Sequence, residues 1–461
     1  MSAGVRMRQY ARTKRPIRQA RAVRVRPVRR SRSPRLSPRA PFGALFLSRR
    51  APFAAFFLSM LVLLAPELTL APLQAVEPGL RPQPIDQALL PAVPHLPPAL
   101  SDRRTAGPVE EPVAVQLADA PRYQAALGAG RAHASAWGVT FAAVRDGQLL
   151  WAGTSGRARD GQTELKPDSE LVIGSVTKTY VAATILQLVD EGALTLDDPV
   201  RAHLPAVRLS DAITVRQLMN HTSGLADVFN DTTKRGLEEH PEHAWTAAEI
   251  FESLHEPWYG PGEGYAYANT NYYLLAMIVE RLTGETLADE LERRFLRPLG
   301  LDATHLLSPT DPASPLQPAW TTIFWGSGAM TASAADLARW GDALYGGELL
   351  QPETRAAMLT LHGDDYGLGV QRVDVPQAAG IGHTGLLNTY TTLLYYLPSV
   401  DVTMALLVNR SHVDLIGTLL AQPPGGPSLF ELATGLERPA WPPPTPTPSP
   451  SPSPSPSTAA P

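Results

Sequence analysis

Ser175 and Lys178 stand three residues apart in the run Gly174-Ser175-Val176-Thr177-Lys178-Thr179-Tyr180. The pair suits nucleophilic catalysis, because a serine hydroxyl is a weak nucleophile until a neighbouring base takes its proton. Lysine can be that base: burial drives an ammonium towards the neutral amine, whereas a guanidinium stays charged. The chain otherwise avoids lysine, with only Lys14, Lys166, Lys178 and Lys234 among its 40 basic residues. If residues 175 to 178 open a helix, positions i and i+3 share a face and the amine reaches the hydroxyl. Val181, Ala182, Ala183, Ile185, Leu188 and Val189 predict a largely buried helix over 175–190, ending at Asp190-Glu191-Gly192. A hydroxyl and an amine are costly to bury at its start without a use. The helix N-terminus also favours negative charge developing near its first amides.

A nucleophile and base need a further group to manage the leaving group's proton, and donors for the oxyanion. Two later segments can supply them. In Tyr267-Ala268-Asn269 a phenol and an amide stand together at the entry to a helix. In Gly380-Ile381-Gly382-His383-Thr384-Gly385 the β-prone surroundings predict an edge strand, with glycine letting a substrate backbone approach. His383 and Thr384 there offer polar contacts to an anionic or carbonyl group. Taken singly, Ser-x-x-Lys can arise by chance, Tyr-x-Asn also fits a capped helix with a core tyrosine, and His-Thr-Gly also fits a turn. A second His-Thr pair occurs in His221-Thr222-Ser223-Gly224-Leu225. The weight lies in the order and spacing of all three motifs.

These motifs need a scaffold. Residues 137–144 alternate as a strand, Arg145-Asp146-Gly147 reads as a hairpin turn, and 148–153 return. Helices are predicted over 175–190, 213–220, 247–256, 270–283, 287–297 and 334–345. Thr246 with Glu249, and Ser333 with Asp336, resemble capping boxes. Strands follow at 366–373, 389–397 and 401–408. Strands at both ends of the region and helices between them predict an α/β (α+β) fold. Its mainly antiparallel sheet is built from both ends of the domain, flanked by helices, with an inserted helical lobe.

The ends of the 461-residue chain differ from its middle. Residues 1–50 carry 16 of the 40 basic residues and no acid, leaving 24 basic against 44 acidic residues in the remainder. This basic arm runs into an apolar stretch, Ala51 to Ala65, too short for a membrane span of about 20 residues. We read 51–75 as a signal peptide or membrane anchor, and the arm as no binder of nucleic acid. The arm is longer than a signal needs, so translation starting at Met7 is an alternative. Residues 76–120 form a proline-rich linker, 121–437 the globular domain, and 438–461 a Pro/Ser/Thr-rich disordered tail. The chain has no cysteine, which excludes disulfides, thiol catalysis and thiolate metal sites. The Glu238-Glu239-His240-Pro241-Glu242-His243 cluster lacks helical ligand spacing and reads as a solvated loop. No metal or cofactor is expected.

The order Ser-x-x-Lys, Tyr-x-Asn, His-Thr-Gly resembles the serine β-lactamase and penicillin-binding-protein superfamily, especially its class C β-lactamase, D-alanyl-D-alanine carboxypeptidase and esterase branch. The resemblance extends over about 134–415. It includes Leu186 to Gly192, Leu196 to Val200, Leu218 to Leu225 and Pro298 to Leu301. It implies a β-lactamase/transpeptidase-like fold and an acyl-enzyme on Ser175, with Lys178 taking or sharing the serine proton. It further implies that Tyr267 works with Lys178 as general base, and that Asn269 holds the lysine and the substrate amide. His383, Thr384 and Gly385 would line the strand along which substrate lies. The amides of Ser175 and Leu386 would form the oxyanion hole, and the His221 segment would be scaffold. Ala268 stands where serine is common, histidine opens the third motif where class C β-lactamases show lysine, and Leu386-Leu387 replace small residues. These departures lower the expectation of efficient β-lactam hydrolysis. The resemblance implies a serine hydrolase, D-alanyl-D-alanine carboxypeptidase-like, acting on a small molecule or peptide such as a cell-wall precursor, and the 51–75 segment adds export. The alternatives are an esterase or β-lactamase of the same fold, or an acylated sensor with little turnover.

Overall fold

Strands from the two ends of the domain pair into one antiparallel sheet. The computed structural model describes residues 119–362 and 365–437, all within one compact unit of the chain. The basic arm, the 51–75 segment, the linker up to 118 and the tail from 438 lie outside the described residues. Strands β1 (Gly138–Arg145) and β2 (Gln148–Gly156) form the expected hairpin. Asp146 and Gly147 at its tip both have positive φ, as a two-residue turn of the primed type requires. After β3 (Leu171–Val172), β4 (Thr304–Leu306) and β5 (Met330–Ala332), which make a small separate sheet, come β6 (Gln371–Val375), β7 (Ala378–Leu387), β8 (Tyr390–Leu397) and β9 (Val402–Val408). The large sheet has the order β2-β1-β9-β8-β7-β6. The two ends of the domain join where β1 pairs with β9, with Phe141 facing Leu406 and Ala142 facing Ala405.

Helices cover both faces, as expected for strands that read as continuous apolar runs. The longer ones are α1 (Ala120–Ala134), α2 (Thr177–Asp190), α3 (Asp231–Glu239), α4 (Asn269–Thr283), α5 (Pro318–Gly328), α6 (Ala334–Gly341) and α7 (Pro352–Leu359). Alternate side chains of β1, β8 and β9 divide between two cores. Ala142, Leu394 and Leu407 pack with α2, α4 and α6, while Phe141, Tyr395 and Leu406 pack with α1 and the last helical turns of the domain.

The structure departs from expectation at several elements. The strand expected over 366–373 begins only at Gln371, with Tyr366 making isolated bridges. The helices expected over 287–297 and 334–345 each pass into a π-turn, at Glu292–Leu296 and Asp342–Gly346. Thr246 and Glu249 form a reciprocal capping box. Ser333 caps α6, but Asp336 instead accepts from the Ala303 amide and the Thr304 hydroxyl. Helix α1 was not expected. It starts where the linker was read to end, and its buried stripe of Tyr123, Ala126, Leu127, Gly130 and Ala134 is made mostly of small residues.

Helix α2, which carries the serine–lysine pair, is fixed at both ends. Tyr180 stacks on Trp340 of α6 with ring centroids 3.9 Å apart, and the Trp340 indole donates to the Thr179 hydroxyl at 2.8 Å. At the far end the buried Arg294 donates to Glu191 and Glu290, both at 2.6 Å, and to Gln187 at 3.1 Å. Removing one member of a buried charge network strands the others. Arg294→Ala should therefore lower the free energy of unfolding by about 3–5 kcal/mol, measured by denaturant titration. A midpoint equal to that of the parent protein would mean that this network does not anchor α2.

Candidate active site

Ser175 lies in a 3₁₀ turn, Gly174–Val176, directly before α2, and Lys178 lies in the first turn of that helix. The tighter winding brings positions i and i+3 nearly into register, so Lys178 Nζ sits 3.1 Å from Ser175 Oγ. Lys178 is fully buried. Its other partners are Asn269 Oδ1 at 2.8 Å and the Ser327 carbonyl at 2.7 Å. That carbonyl belongs to the last turn of α5, where backbone oxygens lack intrahelical partners.

This arrangement decides the proton's direction. A neutral amine has two N–H groups and one lone pair. Asn269 Oδ1 and the Ser327 carbonyl can only accept, so they take both N–H groups and leave the lone pair to the Ser175 hydroxyl. Burial pushes the Lys178 ammonium down to about 7, while the charge of Asp227 acts the other way. Asp227 does not touch the lysine. It accepts from Asn269 Nδ2 at 3.2 and 3.3 Å and from the Asn269 amide at 3.1 Å, which turns Asn269 Oδ1 towards Nζ.

Tyr267 precedes α4, with its ring centroid 4.9 Å from Lys178 Nζ. Its hydroxyl is shielded from solvent and faces the Ser175 hydroxyl. Burial lifts the phenol well above its ordinary value, an effect that the nearby Ser175 only partly offsets. Burial thus favours the protonated phenol at rest, and of the two groups expected to share the base role Lys178 is the one whose neutral form burial favours.

His221, read as scaffold, lies directly behind Tyr267, with ring centroids 4.2 Å apart. Its Nδ1 accepts from the Ala268 amide at 3.2 Å and from Asn271 Nδ2 at 2.9 Å. Burial and the nearby Lys178 hold its imidazole neutral. Ala268 is buried rather than facing the cleft.

The third motif divides by the pleat of β7, because successive side chains point to opposite faces. Thr384 and Leu386 are exposed, Leu386 by 44%, and line the cleft. His383 and Gly385 face inward, which corrects the expectation that they line the substrate strand. His383 is fully buried, donates from Nδ1 to the Thr384 carbonyl at 2.6 Å and accepts the Tyr366 hydroxyl at Nε2, 2.9 Å away. Burial lowers it to about 3, so it is neutral and a structural bridge. Gly385 packs on the turn that carries the serine: a Cβ there would stand 1.9 Å from the Ile173 carbonyl. Gly174, at φ +53°, approaches from the other side, where a Cβ would meet the Leu386 nitrogen at 2.8 Å. These two contacts set the Leu386 amide beside the Ser175 turn.

The direction of that amide follows from strand alternation. The Thr384 N–H points away from β8, to the side chain of Gln371. Two residues on, Leu386 points the same way, past the end of β6, whose pairing with β7 stops at Gly382. The Leu386 N–H thus faces the cleft and, with the Ser175 amide, forms a candidate oxyanion hole. Strand β7 is an edge only over this half, because β6 covers the rest.

The cleft encloses about 480 Å³ and is also lined by Phe229, Trp320, Phe324, Gly328, Leu387, Asn388 and His412. Trp320 stacks on Phe324 at 5.6 Å and Phe229 tilts against Phe324 at 5.4 Å, forming an aromatic wall. Sequence reasoning missed Asp227, Gln371, Ser327 and this wall. The i, i+4 spacing of Trp320 and Phe324 on one helix was a usable signal. Ser327 acts through its carbonyl, which no residue type announces. The Glu238–His243 segment lies at the surface, where His243 contacts Glu249 at 3.0 Å.

Residues 123–419 match the model of the family described as Beta-lactamase. The chain belongs to the β-lactamase family. It is 28% identical over 331 residues to penicillin-binding protein 4 of Amycolatopsis lactamdurans, covering 62% of this chain and 85% of that one. It is 31% identical over 222 residues to D-aminopeptidase of Brucella anthropi, covering 44% of this chain and 41% of the relative. Among solved structures, the D-stereospecific amidohydrolase from Streptomyces sp. superposes with a TM-score of 0.56 and 29% identity, over 64% of this chain and 96% of that one. The chain is a serine hydrolase of the β-lactamase and penicillin-binding-protein superfamily, as its three motifs led us to expect.

Two measurements test the proton assignment. Lys178→Arg should reduce acylation by about 10²–10⁴-fold with an unchanged circular dichroism spectrum. In the parent enzyme kcat/KM should rise with pH through about 7, as Lys178 loses its proton. Asp227→Asn removes a charge that favours the ammonium, so this limb should move to lower pH. A limb that stays put or moves upward would contradict the assignment.

Proposed function

We propose that this β-lactamase-family enzyme hydrolyses small D-amino-acid amides, and related esters, that carry an apolar or aromatic acyl side chain. One observation carries the reading: the aromatic wall stands over the Ser175 cleft, and among the described residues neither lysine nor arginine lines it. Recognition of a free terminal carboxylate calls for a charge-assisted partner. Lys234 lies 4.8 Å from the Phe229 ring centroid but outside the lining set. The reading therefore moves away from the expected D-alanyl-D-alanine carboxypeptidase. Likeness to the D-stereospecific amidohydrolase supports both the amide bond and the D configuration.

The chemistry balances on groups already described. Ser175 Oγ attacks the carbonyl carbon while its proton passes to Lys178 Nζ, and the oxyanion is held by the Ser175 and Leu386 amides. As the C–N bond breaks, Tyr267 gives its proton to the departing nitrogen, and the phenol recovers the one held by Lys178. Water then attacks the ester, Lys178 takes the water's proton, and Ser175 regains it as the acid leaves. Export directed by residues 51–75 completes the proposal and is checked by the N-terminal sequence of the mature protein.

A fluorophosphonate should label Ser175, located by peptide mass mapping. Turnover should favour D-phenylalaninamide over its L form, over a D-alanyl-D-alanine peptide and over a chromogenic cephalosporin. Trp320→Ala should raise KM for the aromatic amide about tenfold. Faster turnover of the D-alanyl-D-alanine peptide would sink the proposal and restore the carboxypeptidase.

A further inference from the structure

The cleft has two chemically different ends. Strand β7 runs along it from Thr384 to Leu387. Leu387 packs with Phe324 and Ile323 in one apolar cluster, so the aromatic wall stands at that end. Thr384 and Gln371 stand at the other. Beyond Gly382 the strand has no backbone partner on the β6 side. The outward N–H groups of Thr384 and Leu386 are therefore the ones with which an extended substrate chain would pair by strand addition.

At Thr384 that pairing is blocked. Gln371 opens β6 opposite Gly382, and its side chain reaches forward along the edge. Its Oε1 accepts both the Thr384 N–H at 3.0 Å and the Thr384 Oγ–H at 2.9 Å. One carboxamide thus occupies both donors and fills the lane beside them. Exposed strand edges are commonly protected, but this protection stands inside the cleft, two residues from the Leu386 amide. In the proposed reaction the scissile carbonyl binds at that amide. With the acyl side chain against the aromatic wall, the leaving group must point towards Thr384 and Gln371.

We propose that Gln371 closes the leaving-group end of the cleft and restricts the enzyme to short, uncharged leaving groups: ammonia, a small amine or a short alcohol. The enzyme is then a terminal amidase rather than a peptidase. This inference rests on the preceding reading of which end takes the acyl group. The bonds made and broken are those given above, and ammonia departs with the proton from Tyr267. Gln371 acts as a specificity-determining residue that never meets the reacting carbon.

The test compares kcat/KM for D-phenylalanyl-D-alanine with that for D-phenylalaninamide. Parent enzyme should strongly favour the amide. In Gln371→Ala the dipeptide-to-amide ratio should rise on the order of tenfold, mainly through KM, as both Thr384 donors become free. A charge pair separates this from a merely structural effect. Gln371→Lys should raise the preference for D-phenylalanyl-D-alanine over its C-terminal amide, and Gln371→Glu should lower it. Ratios unmoved by all three substitutions, in enzymes that still hydrolyse D-phenylalaninamide, would overturn the inference. So would a parent enzyme that cleaves the dipeptide as fast as the amide. A parent inactive on both counts against the proposed function instead, and the same leaving-group series is then run on whichever acyl group labels Ser175.

Discussion

A lysine buried against two carbonyl oxygens and one hydroxyl, with no carboxylate of the described residues in contact, is the constraint on which the rest depends. An ammonium in that position is desolvated and has only the more distant Asp227 as counter-charge, so the neutral amine becomes accessible near neutral pH. The two carbonyls cannot donate, so they take both amine hydrogens and leave the lone pair to the serine. A carboxylate in place of Asn269 would hold the lysine charged and remove the base. Asp227 sits one residue further out, where it orients Asn269 and tempers the depression of the amine without abolishing it.

The fold exists around that constraint. The 3₁₀ turn sets the serine over the lysine, α5 ends where its free carbonyl meets Nζ, and α4 begins where Asn269 completes the set. The sheet contributes by close backbone approach. Gly174 and Gly385 let β7 lie against the serine's turn, which no side chain at either position would permit. Closing the sheet through β1 and β9 joins segments about 260 residues apart, so the helical lobe between them is held at both of its ends.

Much of this could be read from residue types alone, and the reasons differ by element. Ser175, Lys178, Tyr267 and Asn269 were legible because their chemistry is carried by side chains at short spacing. The mixed fold was legible because apolar periods switch from 2 to 3.6 and back along the chain. His383 and Gly385 were misplaced because a motif is read as a contiguous string, whereas a pleated strand presents only every second residue to one side. Helix α1 escaped because alanine and glycine make a buried stripe without a strong apolar signal. Asp227 and Gln371 escaped for another reason: each acts by occupying a donor on a partner distant in sequence, by 42 and 13 positions, and nothing local marks them.

The division of labour explains why motifs fix a reaction but not a substrate. The groups that we propose move protons or hold the oxyanion lie in or beside the three motifs, whereas the Ser327 carbonyl that orients the lysine does not. The groups that shape the cleft lie elsewhere. Phe229, Trp320 and Phe324 come from the inserted helical lobe, and Gln371 from the start of an edge strand. Such positions can change without disturbing the lysine's environment, because none of them contacts Nζ. The acyl end is then set by how large and how aromatic the lobe's wall is, and the leaving-group end by whether the strand edge beyond Gly382 is capped or open. A family that keeps the first set of residues and varies the second can act on amides, esters or peptides with one unchanged nucleophile.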